Sequence, residues 1–132
     1  MPHYRYVNGE IHRYAEERLW GLAESLPTQS IQVDAFDLEQ DKWFNGVLEP
    51  TVGAFFKHLK RVMSADLQYP VLICWNGMIL DGVHRICKAR YDELETIQAK
   101  VFTEYIEPDE VLSESDVPKE FVIALKKSSE RR

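Results

Sequence analysis

The residue types that can do chemistry are concentrated in one stretch of this 132-residue chain, "ILDGVHRICKA", residues 79–89. Asp81 and Gly82 follow two apolar residues, and His84 and Arg85 come next, with Val83 between the two pairs. If a strand ends and a helix begins near the glycine, the first N–H groups of that helix have no partners and carry a partial positive charge. Glycine lets a ligand approach the backbone, and His and Arg side chains add donors. The stretch therefore predicts an anion-binding corner, suited above all to phosphate.

The helix predicted after Gly82 has one face toward the core and another face toward the expected ligand. Val83 lies on the core face, whereas Lys88 follows His84 by four residues and lies on its side. We expect a ligand to be bound by residues 82–85, with Lys88 assisting. Asp81 has three candidate roles: capping the helix, holding the arginine of the stretch, or sharing a metal ion that comes with the ligand. The other reading is a capped helix with a solvated basic face, and the residue types alone leave both open.

The net charge of −6 is unevenly distributed along the chain. Seven acids and one base lie between residues 103 and 120, a local charge of −6, whereas six bases and two acids lie between residues 57 and 90, a local charge of +4. The middle of the chain is therefore the part expected to face an anion. The composition does not suit a non-specific DNA-binding protein, whose affinity comes from many Lys and Arg contacts to phosphates.

Length and composition predict one globular domain, because 45% of the residues are apolar and 29% are charged. The longest apolar run, residues 71–75, is too short to span a bilayer, so we expect no membrane partner. The first residues lack the apolar stretch of a signal peptide. Cys74 and Cys87 form neither a CxxC pair nor a disulfide framework, so we expect buried thiols and a cytoplasmic location. The oligomeric state is left open.

Hydrophobic spacing predicts the elements that must position the corner. In chain order they are a helix over 11–26 ended by Pro27, a strand over 30–36, a helix over 51–63 opened by Pro50 and Thr51, a buried strand over 69–75, a second apolar run over 78–80, the helix after Gly82, a strand over 96–102, and a last helix with Asp116 as its cap and Pro118 in its first turn. Val52, Phe55, Leu59 and Val62 form the expected core face of the second helix. The pair "NG" at 76–77 predicts a tight hairpin with positive φ at both residues.

These elements predict an α/β or α+β fold with a small mixed sheet, flanking helices and added helices at both ends. Within a single domain we expect three segments. Residues 1–30 form an N-terminal helical extension, residues 31–103 form the core, and residues 104–132 form an acidic linker and a C-terminal helix with a basic tail.

The order helix, buried strand with a leading proline, hairpin, D-G-V-H-R, helix and strand resembles the ParB/sulfiredoxin superfamily. The resemblance covers roughly residues 31–102 and is most specific in "YPVLICWNGMILDGVHRICKA". In that superfamily this element binds nucleotide phosphates, and members include ParB proteins that hydrolyse CTP, sulfiredoxins that use ATP, serine kinases that use ADP, and ParB-like nucleases. The motif also looks like that of short bacterial ParB-like proteins with D-G-M-H-R. The resemblance implies a nucleotide (ATP, ADP or CTP) with Mg²⁺, and phosphoryl transfer or nucleotide hydrolysis.

Differences between this sequence and each class of relative reduce the number of activities that the resemblance implies. Val83 stands where sulfiredoxins carry their nucleophilic cysteine, so sulfiredoxin chemistry is not expected. Partitioning ParB proteins carry G-E-R-R and a long helix-turn-helix region, whereas about 30 residues follow Phe102 in this sequence, so we do not expect DNA recognition by that route. Serine kinases place a catalytic glutamate just before the preceding helix, where this chain has Glu49. Glu49 is therefore a general-base candidate, or else a solvent-facing acid at a helix start, and it joins Asp81 and His84 as the catalytic candidates.

Other residues carry weaker indications. His58 either faces the pocket from the preceding helix or is a partly exposed helix residue. Trp43, Phe44, Phe55 and Phe56 either stack on a base or pack in the core. His3 and His12 lack the spacing of a zinc site, so no metal site is expected from the protein alone.

Two other function classes compete with nucleotide binding. One is a ParB-like nucleic-acid-associated protein, either a nuclease or a nucleotide-gated DNA-binding module. The other is a relative that keeps the fold for protein contacts only. Asp81, His84 and Arg85 argue against the second, because a fold alone requires none of them.

Overall fold

The structure is a computed structural model that describes residues 2–38 and 51–130, with side chains up to Lys126. In these ranges the chain forms seven strands in two sheets and four α-helices, the predicted α+β class. The strands are β1 (His3–Val7), β2 (Glu10–Tyr14), β3 (Gln29–Gln32), β4 (Val71–Ile73), β5 (Ile79–Asp81), β6 (Thr96–Val101) and β7 (Glu110–Ser113). The helices are α1 (Glu16–Ala23), α2 (Val52–Met63), α3 (Val83–Tyr91) and α4 (Lys119–Glu130), with short 3-10 helices at Val33–Ala35 and Glu114–Asp116. Among the described residues no helix is long and apolar enough to cross a bilayer.

The larger sheet has the strand order β3-β6-β4-β5 and holds the candidate site at the end of β5. β4 pairs with β6 in parallel, and α3 lies in the connection between them, whereas the other two pairings are antiparallel. Successive side chains of a strand point to opposite faces. Val71 and Ile73 of β4 therefore pack with Ile86 of α3, whereas Leu72 packs with Leu19 of α1 on the other side. The sheet is thus covered by α3 on one face and α1 on the other.

The hairpin between β4 and β5 confirms the prediction, but its turn differs from the predicted type. Only Gly77 (φ 87°) has a positive φ, and Asn76 does not. The carbonyl of Cys74 accepts a hydrogen bond from the N–H of Gly77, and the N–H of Cys74 donates to the carbonyl of Met78. This is a three-residue loop that ends in a left-handed glycine. Asn76 contributes its side chain instead, since Oδ1 accepts hydrogen bonds from the N–H of Met78 and the thiol of Cys74.

The predicted N-terminal helix over 11–26 is wrong in its first part, because residues 10–14 form β2 and α1 begins at Glu16. The hairpin of β1 and β2 turns at Asn8 (φ 47°) and Gly9 (φ 84°), the two positive φ values of a type I′ turn. β2 is buried on both faces, so its apolar residues do not alternate clearly with polar ones. The N-terminal segment is therefore a hairpin followed by a short helix.

The smaller sheet, β1-β2-β7, joins the two ends of the described chain. β7 lies in the segment that was predicted to be an acidic linker, and it pairs with β2. Ile11 of β2 is fully buried against Val122 and Leu125 of α4. The predicted cap of α4 is also wrong, because Asp116 accepts hydrogen bonds from the N–H and hydroxyl of Ser113 and closes the preceding 3-10 turn.

Helix α2 confirms the predicted element and the second half of its predicted core face, where Val62 is buried and Leu59 partly buried, but not the first half. Thr51 caps the helix, since its Oγ1 accepts a hydrogen bond from the N–H of Ala54. Val52 and Phe55, at the start of the helix, are 77% and 51% exposed, whereas His58 and Val62 are buried. α2 therefore turns a histidine, rather than its first apolar residues, toward α3.

Candidate functional site

The site begins where β5 ends at Asp81 and α3 starts at Val83, as the sequence predicted. The first helical hydrogen bond runs from the N–H of Ile86 to the carbonyl of Gly82, at 3.0 Å. The N–H groups of residues 83–85 precede that bond, so they point out of the helix end toward the corner. The geometry is that of a helix N-terminus opened by a strand, which favours anions.

Gly82 is required by the fold. It has a φ of +113°, a conformation that L side chains rarely adopt, and a Cβ at this position would lie 2.6 Å from Cγ1 of Val71. We predicted the glycine from the approach of a ligand to the backbone. The close packing of α3 on β4 accounts for it without a ligand.

Asp81 holds Arg85, which is one of its three predicted roles. Nη2 of Arg85 lies 3.3 Å from Oδ2 of Asp81, and both side chains are partly buried. The indole N–H of Trp20 donates to the same oxygen at 2.8 Å. Asp81 does not cap α3 with its side chain. The guanidinium is thus fixed beside the helix N-terminus by a carboxylate that α1 also holds.

His58 of α2 and His84 of α3 lie in contact at this corner. Nδ1 of His58 lies 2.8 Å from Nε2 of His84. The two rings are parallel within 8° and their centroids are 5.1 Å apart. Parallel rings at van der Waals separation cannot bring two of their atoms to 2.8 Å, so the rings lie side by side in nearly one plane. They share a hydrogen bond along their nitrogen edges.

The surroundings of this histidine pair favour its neutral form. Burial lowers the pKa of His84, and the nearby His58 and Arg61 lower it further, while Asp81 acts in the opposite direction. Burial also lowers the pKa of His58, followed by the charges of Arg61 and Lys57. Both rings are therefore neutral at pH 7, and one N–H lies between them.

Several predicted residues lie elsewhere. Nζ of Lys88 is 3.1 Å from Oδ2 of Asp92, one turn further along α3, so the structure does not bring it to the corner. Glu49 lies outside the described residues, as do Trp43 and Phe44. Phe55 and Phe56 are more than half exposed rather than packed in the core.

Trp20 is a site residue that the sequence did not reveal. It lies 61 positions before Asp81, and no motif links the two residues. Trp20 also lines a cavity of about 540 Å³ at the start of α1, together with Pro2, Arg13, Ala15, Glu16 and Glu17. The indole ring of Trp20 therefore contacts the corner and also lines this cavity.

Among the described residues at this corner, Asp81 is the carboxylate that would hold a magnesium ion beside a bound phosphate. Within residues 2–38 and 51–130, no group of three or more His, Cys, Asp and Glu side chains could hold a metal ion. Mg²⁺ is commonly held by one or two carboxylates together with the phosphates of its ligand. Asp81 would therefore be the side chain that holds such an ion together with the phosphate oxygens, and its Oδ2 already receives the contacts from Trp20 and Arg85.

Comparison with family models, with curated proteins and with solved structures gives no match for this chain.

Proposed function

We propose that the chain binds a phosphate-bearing ligand at the start of α3, and that this ligand is a nucleotide such as ATP, ADP or CTP. One observation carries the proposal. Arg85 is fixed by Asp81 at a helix N-terminus, beside the neutral pair of His58 and His84. The resemblance of "ILDGVHR" to the phosphate-binding element of the ParB/sulfiredoxin superfamily supports the same conclusion.

Each group at the corner has a distinct role in this proposal. The N–H groups of residues 83–85 and the guanidinium of Arg85 bind phosphate oxygens. Asp81 orients the guanidinium and is the one described residue at the corner that would hold Mg²⁺, which neutralises phosphate charge when bound. His84 provides a neutral ring that donates or accepts a proton.

The reaction that this arrangement suits is phosphoryl transfer or nucleotide hydrolysis. Such reactions depend mainly on positioning and on stabilising charge in the transition state, which fixed cations and helix N–H groups provide. Among the described candidates for general base, His84 lies at the corner, and Glu49 stays a sequence prediction. Sulfiredoxin chemistry is not proposed, because Val83 occupies the position of the nucleophilic cysteine.

A thermal-shift panel tests the binding proposal. ATP, ADP, CTP, GTP and inorganic phosphate are compared, with and without Mg²⁺, on the wild-type protein and on Arg85→Ala and Lys88→Ala. A ligand at about 100 times its Kd adds about 2.7 kcal/mol to stability, a rise of several degrees. We expect that rise in wild type and Lys88→Ala and its loss in Arg85→Ala. Lys88→Ala removes one charge from the same helix and so controls for net charge, and no rise with any ligand would contradict the proposal.

Nucleic-acid binding is a second candidate, favoured by the outer face of α2. Phe55 and Phe56 are more than half exposed, and the exposed bases Lys57, Lys60 and Arg61 follow them on the same helix. Single-stranded nucleic acids bind to surfaces that combine aromatic rings with cations. A labelled oligonucleotide should then bind with an affinity that falls steeply as salt is raised. Tight binding of a free nucleotide without this behaviour would favour the first candidate.

A cytoplasmic location belongs to the same proposal. Neither cysteine forms a disulfide in the described structure, where Cys74 is buried and Cys87 partly buried. Reduced cysteines are usual in the cytoplasm, where thiols are kept from forming disulfides.

A further inference from the structure

The contact between His58 and His84 constrains where their protons lie. Each neutral imidazole carries one proton on one of its two nitrogens. If Nδ1 of His58 donates to Nε2 of His84, the proton of His84 must lie on its Nδ1. If Nε2 of His84 donates instead, the proton of His58 must lie on its Nε2. The 2.8 Å contact therefore requires both rings to be in the same tautomer, both Nδ1–H or both Nε2–H.

The two allowed states differ only by a shift of protons along one line. In the first state the outer proton is on Nδ1 of His84, and in the second it is on Nε2 of His58. The rings lie nearly in one plane, which aligns the N–H of one ring with the lone pair of the other. The two helices hold the rings in this arrangement because α2 and α3 pack against each other, with His58 buried and His84 partly buried.

The charges around the pair keep extra protons from staying on it. Lys57 and Arg61 lie on the same helix as His58, and Arg85 follows His84 on α3. Asp81 is the carboxylate that acts on His84, and it is already engaged by Arg85. A proton on His58 is therefore repelled by Lys57 and Arg61, and a proton on His84 by Arg61 and Arg85, which favours its passage over its retention.

We propose that His58 and His84 form a proton relay that spans α2 and α3 and serves the phosphate corner. A hydroxyl group or water that attacks the phosphorus atom gives its proton to one outer nitrogen of the pair. The shared proton then moves across the 2.8 Å contact, and the other ring releases its outer proton to solvent or to the leaving oxygen. One proton enters and one leaves, so the pair returns to a neutral state with both tautomers exchanged.

The relay rests on the proposed function because it needs a phosphate-bearing substrate. Its first test needs no ligand. In ¹⁵N-histidine-labelled protein, long-range ¹H–¹⁵N spectra at pH 7 report the tautomer and charge of all four histidines. We expect the signals of His58 and His84 to be neutral and to show the same tautomer, or equal averages of the two. The variants His58→Gln and His84→Gln assign the signals. His12→Gln, in β2 of the smaller sheet, should leave the signals of His58 and His84 unchanged. Opposite tautomers, or a charged ring at pH 7, would overturn the proposal.

The second test uses turnover of whichever nucleotide stabilises the wild-type protein in the presence of Mg²⁺. A glutamine at position 58 can hydrogen-bond to His84 but cannot pass a proton. We expect His58→Gln to keep the thermal shift produced by that nucleotide, to lose about a hundredfold in kcat, and to change the pH profile of the rate. Equal kcat in wild type and variant would overturn the relay. If no nucleotide raises the melting temperature of the wild-type protein, only the proposed function is contradicted. The tautomer measurement would still test whether His58 and His84 share a proton.

Discussion

Two independent constraints require a glycine at position 82: the positive φ of the backbone and the lack of space for a Cβ atom. The φ of +113° at Gly82 excludes ordinary L residues, and the side chain of Val71 occupies the space that a Cβ would need. The corner where the phosphate is proposed to bind therefore exists only because α3 can start this close to β4.

Gly82→Ala should lower the free energy of unfolding by about 3 kcal/mol. About 1–2 kcal/mol comes from the left-handed backbone, and the remainder comes from overpacking against Val71. Urea unfolding at pH 7 measures the change. Val71→Ala in the same chain should recover part of the loss, because it removes the clashing atoms.

Gly53→Ala is the matched control for this prediction. Gly53 lies in α2, and a Cβ there would have its nearest contact at 3.9 Å, with Oγ1 of Thr51. Alanine is favoured over glycine in a helix by about 0.5–1 kcal/mol, so this variant should be more stable than wild type. Equal losses in both variants would contradict the account of Gly82.

His3 links stability to pH. It is buried on β1, and in the described structure its Nε2 has no hydrogen-bond partner. Burial lowers the pKa of His3 to about 3, with a further contribution from Arg5. The unfolded chain binds a proton near pH 6.5, so stability is fully present above that pH and falls as the pH drops toward 3. The loss from His3 alone should be about 2 kcal/mol at pH 5.

The comparison that checks this is urea unfolding of wild type and His3→Phe at pH 7 and pH 5. Phenylalanine removes the titrating group and leaves a ring against Tyr14, so the drop in stability between the two pH values should shrink by most of 2 kcal/mol. His58 and His84 have lowered pKa values too and preserve some pH dependence. An unchanged drop would show that His3 is protonated without cost in the folded state.

At the scale of elements, α1 depends on a cap from a distant part of the chain. Its own N-cap residue is Ala15, which has no side-chain acceptor. Oδ2 of Asp109 accepts a hydrogen bond from the N–H of Ala15 at 2.7 Å and contacts Arg18 at 3.2 Å. The hydrogen bond from Ala15 and the charge of Arg18 hold the pKa of Asp109 below its ordinary value. The position of Trp20, and with it the orientation of Asp81, therefore depends on the segment after β6.

Asp109→Ala should destabilise the protein by about 1–2 kcal/mol, the usual cost of losing a helix cap. Glu104→Ala, an exposed acid in the same segment, should change stability by less than about 0.5 kcal/mol. Thermal unfolding at pH 7 separates the two. Because the pKa of Asp109 is lowered in the folded state, the difference between wild type and Asp109→Ala should persist at neutral pH and should be lost as the pH falls through that lowered pKa.

The elements that the sequence predicted correctly are those whose signals are local. The cap at Thr51, the glycine that opens α3 and the alternation of β6 are all encoded within a few residues. The N-terminal helix failed because β2 is buried on both faces, so its apolar residues imitate a helical spacing. The signal that was overlooked is the Asn8–Gly9 pair, which has the two positive φ values that we expected at Asn76 and Gly77.

In the candidate site, too, the contacts between residues close in sequence were predictable, whereas the contacts between distant elements were not. The ion pair of Asp81 and Arg85 spans four residues and was predictable from spacing. The contacts of Trp20 and His58 with the corner join different elements, so they depend on how the helices pack. Lys88 had the correct helical spacing, but Asp92 lies a further four residues along and offers it a nearer partner.

At the scale of the whole molecule, the predicted core of residues 31–103 is incomplete by itself. One face of the larger sheet is covered by Leu19 and Ala23 of α1 and by Tyr14 of β2. Without them, Leu72 and Phe102 lose their covering residues. Burial of each such side chain stabilises a protein by about 1.5–3 kcal/mol, and a small domain has little stability to lose.

A fragment of residues 31–103 should therefore be unfolded in buffer at 25 °C, whereas the full chain should unfold cooperatively. Circular dichroism and dispersion of amide proton signals measure the difference. A cooperative thermal transition in the fragment would show that the larger sheet with α3 is an independent folding unit.

The pairing of β2 with β7 has a consequence for synthesis on the ribosome. Glu10 pairs with Ser113, so the hairpin made first must wait for about a hundred further residues before its neighbour strand emerges. During that time the buried side chain of Ile11 has neither β7 beside it nor α4 over it. A nascent chain of this protein therefore exposes an unpaired strand edge and an apolar patch until β7 and α4 have emerged, and this is the interval in which chaperone binding or aggregation would compete with folding.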